Sequence, residues 1–208
     1  MAQRINLSDD GASFIALDSI PEDLKKYGTD AFDTLFNLHP EQRGKIQMPV
    51  GELVSPRWHK SYLNTPTYDP ALHFSYMFSG QDNSGIHDPL PDAFLPFLEY
   101  VNRDNAGYNQ VVINWYKDGK DYTAQHSDCE EGMEEDADIV IISLGDERVF
   151  KIRPKQSLHA EDLKVPCPHG SVLTMGGHTQ KSFRHGVPKS VSKEPRISIT
   201  FRKFKKQQ

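Results

Sequence analysis

Cysteine is scarce: only Cys129 and Cys167 occur in 208 residues, too few for a disulfide framework or a cysteine-rich zinc site. A reduced, intracellular setting is therefore expected. No stretch approaches the roughly 18 consecutive apolar residues that a bilayer span needs, so no membrane partner is expected. The opening residues, MAQRINLSDD, are too polar for a signal peptide. Positive charge is in deficit, since 24 basic against 29 acidic side chains leave a net charge of -5. That excludes coating of nucleic acid by bulk charge, though not local basic contacts. Internal repeats and low-complexity tracts are absent, and so is the HExxH signature of zinc peptidases.

What remains is a globular composition, 37% hydrophobic with a mean hydropathy of -0.63. Charge is segregated: Asp128 to Asp138 is acidic, and the chain from Lys181 onward is basic. A monomer is expected.

Ser13–Leu17 reads as a short strand. Ser19-Ile20-Pro21-Glu22 has the spacing of a capping box with proline in the first turn, predicting a helical region to Leu38 with a break at Gly28. Phe74–Phe78 alternates as a strand, and Asp92 opens a second helix through Val101. After Gly107 the texture changes to short strands at Gln110–Tyr116, Ile139–Leu144, Arg148–Arg153, Ser171–Met175 and Arg196–Arg202. This pattern predicts an antiparallel sandwich or barrel, a β core with an α/β N-terminal part packed on it in one domain.

His126-Ser127-Asp128 is the first metal candidate, because residues i and i+2 of a strand share a face. Nine His and eighteen Asp yield about one such spacing by chance, so a third ligand is required. His159, His169, His178 and His185 are available, and His185 is preferred because a β region follows it. Two imidazoles and a carboxylate are the ligand set of non-haem Fe(II) oxygenases, with open positions on the metal. On the last strand, period two places Arg196, Ser198, Thr200 and Arg202 on one face and Ile197, Ile199 and Phe201 on the other. The polar face is either solvent-exposed or, beside such a metal, a grip for both carboxylates of a dicarboxylic cosubstrate through two guanidinium forks. Asn114 and Tyr116 share a face of their own strand and supply further polar contacts.

These residues, in order, resemble the motif series of AlkB-type Fe(II)/2-oxoglutarate dioxygenases: Asn114-Trp115-Tyr116-Lys117-Asp118-Gly119, His126-Ser127-Asp128-Cys129-Glu130, His185-Gly186-Val187-Pro188 and Arg196 through Arg202. Ser55-Pro56-Arg57 and Tyr76-Met77-Phe78-Ser79-Gly80 resemble the substrate-side segment of that family. The resemblance spans roughly residues 50 to 204. It implies an α+β fold, a double-stranded β-helix (jelly roll) core over residues 107–204, with N-terminal helices and a β nucleotide-recognition lid over residues 1–106. It implies Fe(II) on His126, Asp128 and His185, with 2-oxoglutarate and O2 as cosubstrates. Arg196 and Tyr116 are to hold the distal carboxylate of 2-oxoglutarate, Arg202 and Asn114 to approach its iron-chelating end, and Ser198 and Thr200 to line the same face. Tyr76 and Phe78 are to stack on a flipped base, and Glu130 to accept a hydrogen bond from its amino group. Ser198 departs from the Asn of some members, and Cys129 from a common acidic residue.

The implied reaction is oxidative demethylation of 1-methyladenine or 3-methylcytosine in DNA or RNA, releasing formaldehyde, succinate and CO2. The alternative on the same core is a 2-oxoglutarate-dependent hydroxylase of a protein or small molecule. The basic stretch after Lys181 is expected to meet phosphate.

Overall fold

The computed structural model describes residues 3–48, 51–63, 77–78, 81–82, 88–156 and 160–205. The chain opens with β1 (Gln3–Asn6), β2 (Ser13–Ser19), α1 (Glu22–Asp30) and α2 (Phe32–Phe36). Next come β3 (Lys45–Met48), β4 (Gly51–Val54), β5 (Trp58–Leu63), β6 (Met77–Phe78) and β7 (Gln81–Asp82). A 3-10 turn at Asp92–Phe94 leads into α3 (Leu95–Val101). The rest is β8 (Gln110–Tyr116), β9 (Thr123–His126), β10 (Ile139–Gly145), β11 (Arg148–Pro154), β12 (Leu163–Cys167), β13 (Ser171–Gly177), α4 (Thr179–Ser182), β14 (Phe183–Val187) and β15 (Arg196–Arg202).

The strands build two antiparallel sheets, one in the order β1-β2-β13-β10-β15-β8-β5 and one in the order β12-β11-β14-β9. Two small hairpins, β3–β4 and β6–β7, stand apart from them. This is a jelly-roll core. Strands β1, β2 and β5, all before residue 107, belong to the larger sheet. None of the described helices is long and apolar enough to cross a membrane.

Alternation along β8 feeds two cores at once, and the apolar face of β15 joins one of them. Val111, Ile113 and Trp115, with Ile197, Ile199 and Phe201, pack against Leu35, Phe94, Phe97 and Leu98 on the helical side. Val112 and Tyr116 instead join Ile141, Phe150, Ile152 and Phe183 between the two sheets. Each large apolar side chain so buried contributes about 1.5–3 kcal/mol. Trp115 Nε1 donates to the Leu35 carbonyl at 2.9 Å, tying α2 to β8.

The helical entry differs from expectation. Ser19 stays in the ladder opposite Ser171, so it cannot cap α1. Its hydroxyl donates instead to the Ile20 and Gly170 carbonyls, and Pro21 holds the N-cap position with no side-chain cap. The break falls at Ala31, between α1 and α2, rather than at Gly28. Gly28 lies inside α1, where a Cβ would come within 2.9 Å of Leu144, so the absent side chain is what lets the helix sit against β10.

Candidate active site

The polar face of β15 points away from solvent. Arg196 is 1% exposed and Ser198, Thr200 and Arg202 are also buried, facing the four-stranded sheet across a cavity. Asn114 and Tyr116 line the same cavity from β8, and His126, Asp128 and His185 line it from the opposite side. Buried polar groups are costly unless partnered, so where these donors point decides what the cavity can hold.

His126 ends β9 and pairs directly with His185 on β14. Asp128 lies two residues past the end of β9 in a loop, so its approach does not come from a shared strand face. The loop is fastened by the Asp128 N–H donating to Gln180 Oε1 at 3.0 Å and by the Ser127 hydroxyl donating to the Phe183 carbonyl at 2.6 Å. Register slips between His185 and Val187, where Gly186 sits; a Cβ there would lie 2.7 Å from the Thr123 carbonyl. Glycine thus admits β9 to the position that brings the two histidines together.

One donor atom from each of His126, Asp128 and His185 lies within 4.8 Å of the others. His126 Nδ1 is 2.9 Å from the Ala124 carbonyl, which can only accept, so Nδ1 carries the proton and Nε2 presents a lone pair. That Nε2 lies 3.3 Å from Asp128 Oδ1, close enough for both atoms to share one cation. His185 Nε2 is 3.9 Å from the same oxygen. Burial, followed by the neighbouring His126, pushes the His185 pKa down to about 3, keeping its imidazole in the neutral form that ligates metals. Phe150 stacks on the His185 ring at 5.3 Å and fixes its plane.

The other carboxylate oxygen of Asp128 is fully engaged. Arg202 donates to Oδ2 from Nε at 2.9 Å and from Nη2 at 2.7 Å, and from Nη1 to Gln110 Oε1 at 3.2 Å. Burial pushes the Asp128 carboxyl upward, but Arg202 and then the two histidines outweigh it and hold the group well below the ordinary carboxylate range.

Arg196 is different. Its Nη2 donates to Ser143 Oγ at 2.8 Å, while Nε and Nη1 have no partner although both are buried. No carboxylate forms a salt bridge with it among the described residues. A buried guanidinium with free donors is a receptor for an anion, and a carboxylate matches its fork. The Tyr116 ring lies 5.1 Å from Arg196, and its hydroxyl shares a 2.8 Å hydrogen bond with Thr123 Oγ1.

Tyr76 lies outside the described residues, and of Phe78 only its place in β6 is described. Glu130 does not line the cavity; its carbonyl accepts from the Met133 N–H. The cavity also holds Arg57, known from the sequence only as part of the substrate-side segment, and residues that carried no assigned role there. Arg57, buried just before β5, donates from Nε to Asn114 Oδ1 at 2.6 Å, and Thr123, Phe150, Cys167, Leu173 and Met175 form part of the wall. The pairing of Trp58 with Trp115 carries Arg57 to the Tyr116 end of β8, a long-range register with no local signature.

The profile of the 2OG-Fe(II) oxygenase superfamily matches residues 26–202. The chain belongs to this superfamily. Its expected cofactors, Fe(II), 2-oxoglutarate and O2, are those of the superfamily. Among curated relatives, the DNA oxidative demethylase ALKBH2 of Homo sapiens is 32% identical over 162 residues, covering 71% of this chain and 59% of that protein. The alpha-ketoglutarate-dependent dioxygenase alkB homolog 3 of Bos taurus is 37% identical over 118 residues, covering 52% of this chain and 41% of that protein. The chain spans about half the length of the curated relatives it matches. The solved structure of OsALKBH1 has a TM-score of 0.55 at 15% identity, covering 91% of this chain and 97% of that one, and shares the fold. The AlkB-type resemblance in the motif order therefore agrees with both the superfamily profile and the relatives.

Proposed function

We propose that this 2OG-Fe(II) oxygenase oxidatively demethylates N-alkylated bases, with 1-methyladenine and 3-methylcytosine in DNA or RNA as its substrates. The observation that carries the reading is the pairing, in one cavity, of a two-histidine, one-carboxylate cluster with a buried guanidinium that has free donors. His126 Nε2, Asp128 Oδ1 and His185 Nε2 would hold Fe(II), and Arg196 would take the distal carboxylate of 2-oxoglutarate with Tyr116, Ser198 and Thr200 beside it. When bound, Fe(II) and 2-oxoglutarate supply the O2-driven hydroxylation that makes an N-methyl group leave as formaldehyde.

The chain's own residues set up that chemistry. Arg202 turns Asp128 so that Oδ2 is held and Oδ1 faces the histidines. The Ala124 carbonyl fixes the His126 tautomer, Phe150 fixes the orientation of the His185 ring, and burial keeps that ring neutral. Asn114, held by Arg57, and the apolar side chains of Leu173 and Met175 line the same cavity. The relatives named demethylases and alkB homologues favour a nucleic-acid base over a protein or small-molecule substrate. Tyr76 and Phe78 would stack on the flipped base, and Glu130, outside the cavity wall but two residues past Asp128, would accept from the exocyclic amino group of a base that projects beyond that wall.

A substrate panel tests this. Oligonucleotides carrying 1-methyladenine or 3-methylcytosine should be demethylated ahead of 1-methylguanine and 3-methylthymine, and Glu130→Gln should flatten that ranking. Consumption of 2-oxoglutarate unaffected by every methylated oligonucleotide would instead favour the protein or small-molecule hydroxylase.

A further inference from the structure

The basic stretch from Lys181 does not form one surface. Arg196 and Arg202 are buried in the cavity, Lys181 pairs with Asp136, and Lys189 and Lys203 lie over Tyr122 and Tyr108. Of that stretch, Arg184 joins cations from β11 and β12 on the outer face of the four-stranded sheet. Alternation on β11 sends Phe150 and Ile152 inward and Lys151 and Arg153 outward. Across β12, Lys151 stands directly opposite Lys164, and across β14, Arg153 stands directly opposite Arg184.

Two like-charge pairs placed directly opposite one another on one sheet face are a stability cost. A single carboxylate offsets them. Asp162 accepts from Arg153 at 2.7 Å, pairs with Lys151 at 2.9 Å and also accepts from Gln125 at 3.0 Å. Lys164 and Arg184, both exposed, make no ion pair among the described residues. A net-acidic chain has therefore concentrated uncompensated cations at one place, and an arrangement that costs stability without a partner is relieved by a polyanion.

Its position selects the polyanion. Arg184 immediately precedes His185 on β14, and Gln125 immediately precedes His126 on β9, which lies at an edge of that sheet among the described strands. The basic face and the histidine cluster are thus the two sides of the same two strands. Resting on the demethylase reading, we propose that this outer face binds the phosphodiester backbone of the nucleic acid flanking the base that enters the cavity, the strand passing over the β9 edge. Lys164 and Arg184 are the contacts with free charge, and Lys151 and Arg153 stand behind them.

Fluorescence anisotropy on an unmethylated single-stranded oligonucleotide, across a salt series, tests the surface independently of turnover. For Lys164→Gln/Arg184→Gln the slope of log affinity against log salt should become shallower by about 1.4, two phosphate contacts at about 0.7 each, with affinity down on the order of tenfold at low salt. Consumption of 2-oxoglutarate without substrate should not change. Lys26→Gln, on α1, should leave the slope alone. An unchanged slope in the double variant overturns the proposal, as does an equal loss in Lys26→Gln, or polyglutamate competing as well as the oligonucleotide. Patch-dependent binding without demethylation of any methylated strand would support the surface and sink the demethylase reading; demethylation with patch-independent binding would do the reverse.

Discussion

Replacing Arg202 with methionine keeps an unbranched apolar stem and removes the fork that holds Asp128. The carboxylate is 5% exposed and takes hydrogen bonds of 2.9 and 2.7 Å from Arg202 on one oxygen. Stripping one partner from a buried pair costs about 3–5 kcal/mol, because the other charge stays buried without compensation. Against a typical stability of about 5–15 kcal/mol this is a large fraction. The carboxyl should answer by moving its pKa upward, since burial is the largest influence on it and Arg202 the largest opposing one. A proton then competes with metal at Asp128, and affinity should fall by about 10- to 100-fold, the usual cost of losing a group that orients a ligand. The assays are urea denaturation of the metal-free protein at neutral pH and calorimetric titration with Mn(II). Adding Asp128→Asn to Arg202→Met should recover stability, since a neutral amide needs no counter-charge, while metal binding stays lost. If Arg202→Met unfolds at the wild-type urea concentration and binds Mn(II) as tightly, or if Asp128→Asn fails to restore stability, the assignment of Arg202 as the holder of Asp128 is wrong.

Arg196→Lys keeps the charge but loses the planar donors that stand free at Nε and Nη1, so the Michaelis constant for 2-oxoglutarate should rise by an order of magnitude or more. An unchanged constant removes Arg196 from the cosubstrate site. The metal-free protein should lose stability in acid. His59 is pushed down to about 4 by burial and His185 to about 3, from 6.5, so their contribution is full above pH 6.5 and drains away as pH falls toward those values. A urea midpoint that stays flat from pH 7 to pH 4, or a His59→Gln variant as acid-sensitive as wild type, contradicts this. Phe201→Ala opens a cavity in the core against the helices and should cost about 3–5 kcal/mol by urea denaturation, and a cost near zero would mean that the helical layer repacks freely.

The alternation of β15 was legible because period two is a local property, and its seven residues form a strand as expected. Whether its polar face met water or a second sheet was not legible. The β15 register with β8 and β10 and the facing four-stranded sheet settle that, and both are made by residues far away in the chain. The clustering of His126, Asp128 and His185 was anticipated, but the geometry that achieves it is a loop pinned by Gln180, 52 positions away, rather than a shared strand face. Arg202 was read as approaching the iron-chelating end of the cosubstrate, and it does line the cavity; the grip of its fork on Asp128, a contact across 74 positions, is what no spacing rule encodes. Ser19 failed as a cap because tertiary pairing with β13 took its backbone first. Arg57 and Cys167 were visible as residues, yet their arrival in the cavity depends on the pairing of β5 with β8 and of β11 with β12.

The central claim is most directly tested by one mass measurement on a synthetic strand bearing a single 1-methyladenine, incubated with the protein, Fe(II), 2-oxoglutarate and air. The account predicts loss of the methyl group with formaldehyde formed in equal amount, both dependent on 2-oxoglutarate and both abolished in Asp128→Ala. A strand that keeps its methyl group while 2-oxoglutarate is consumed, or demethylation that persists in Asp128→Ala, would contradict it.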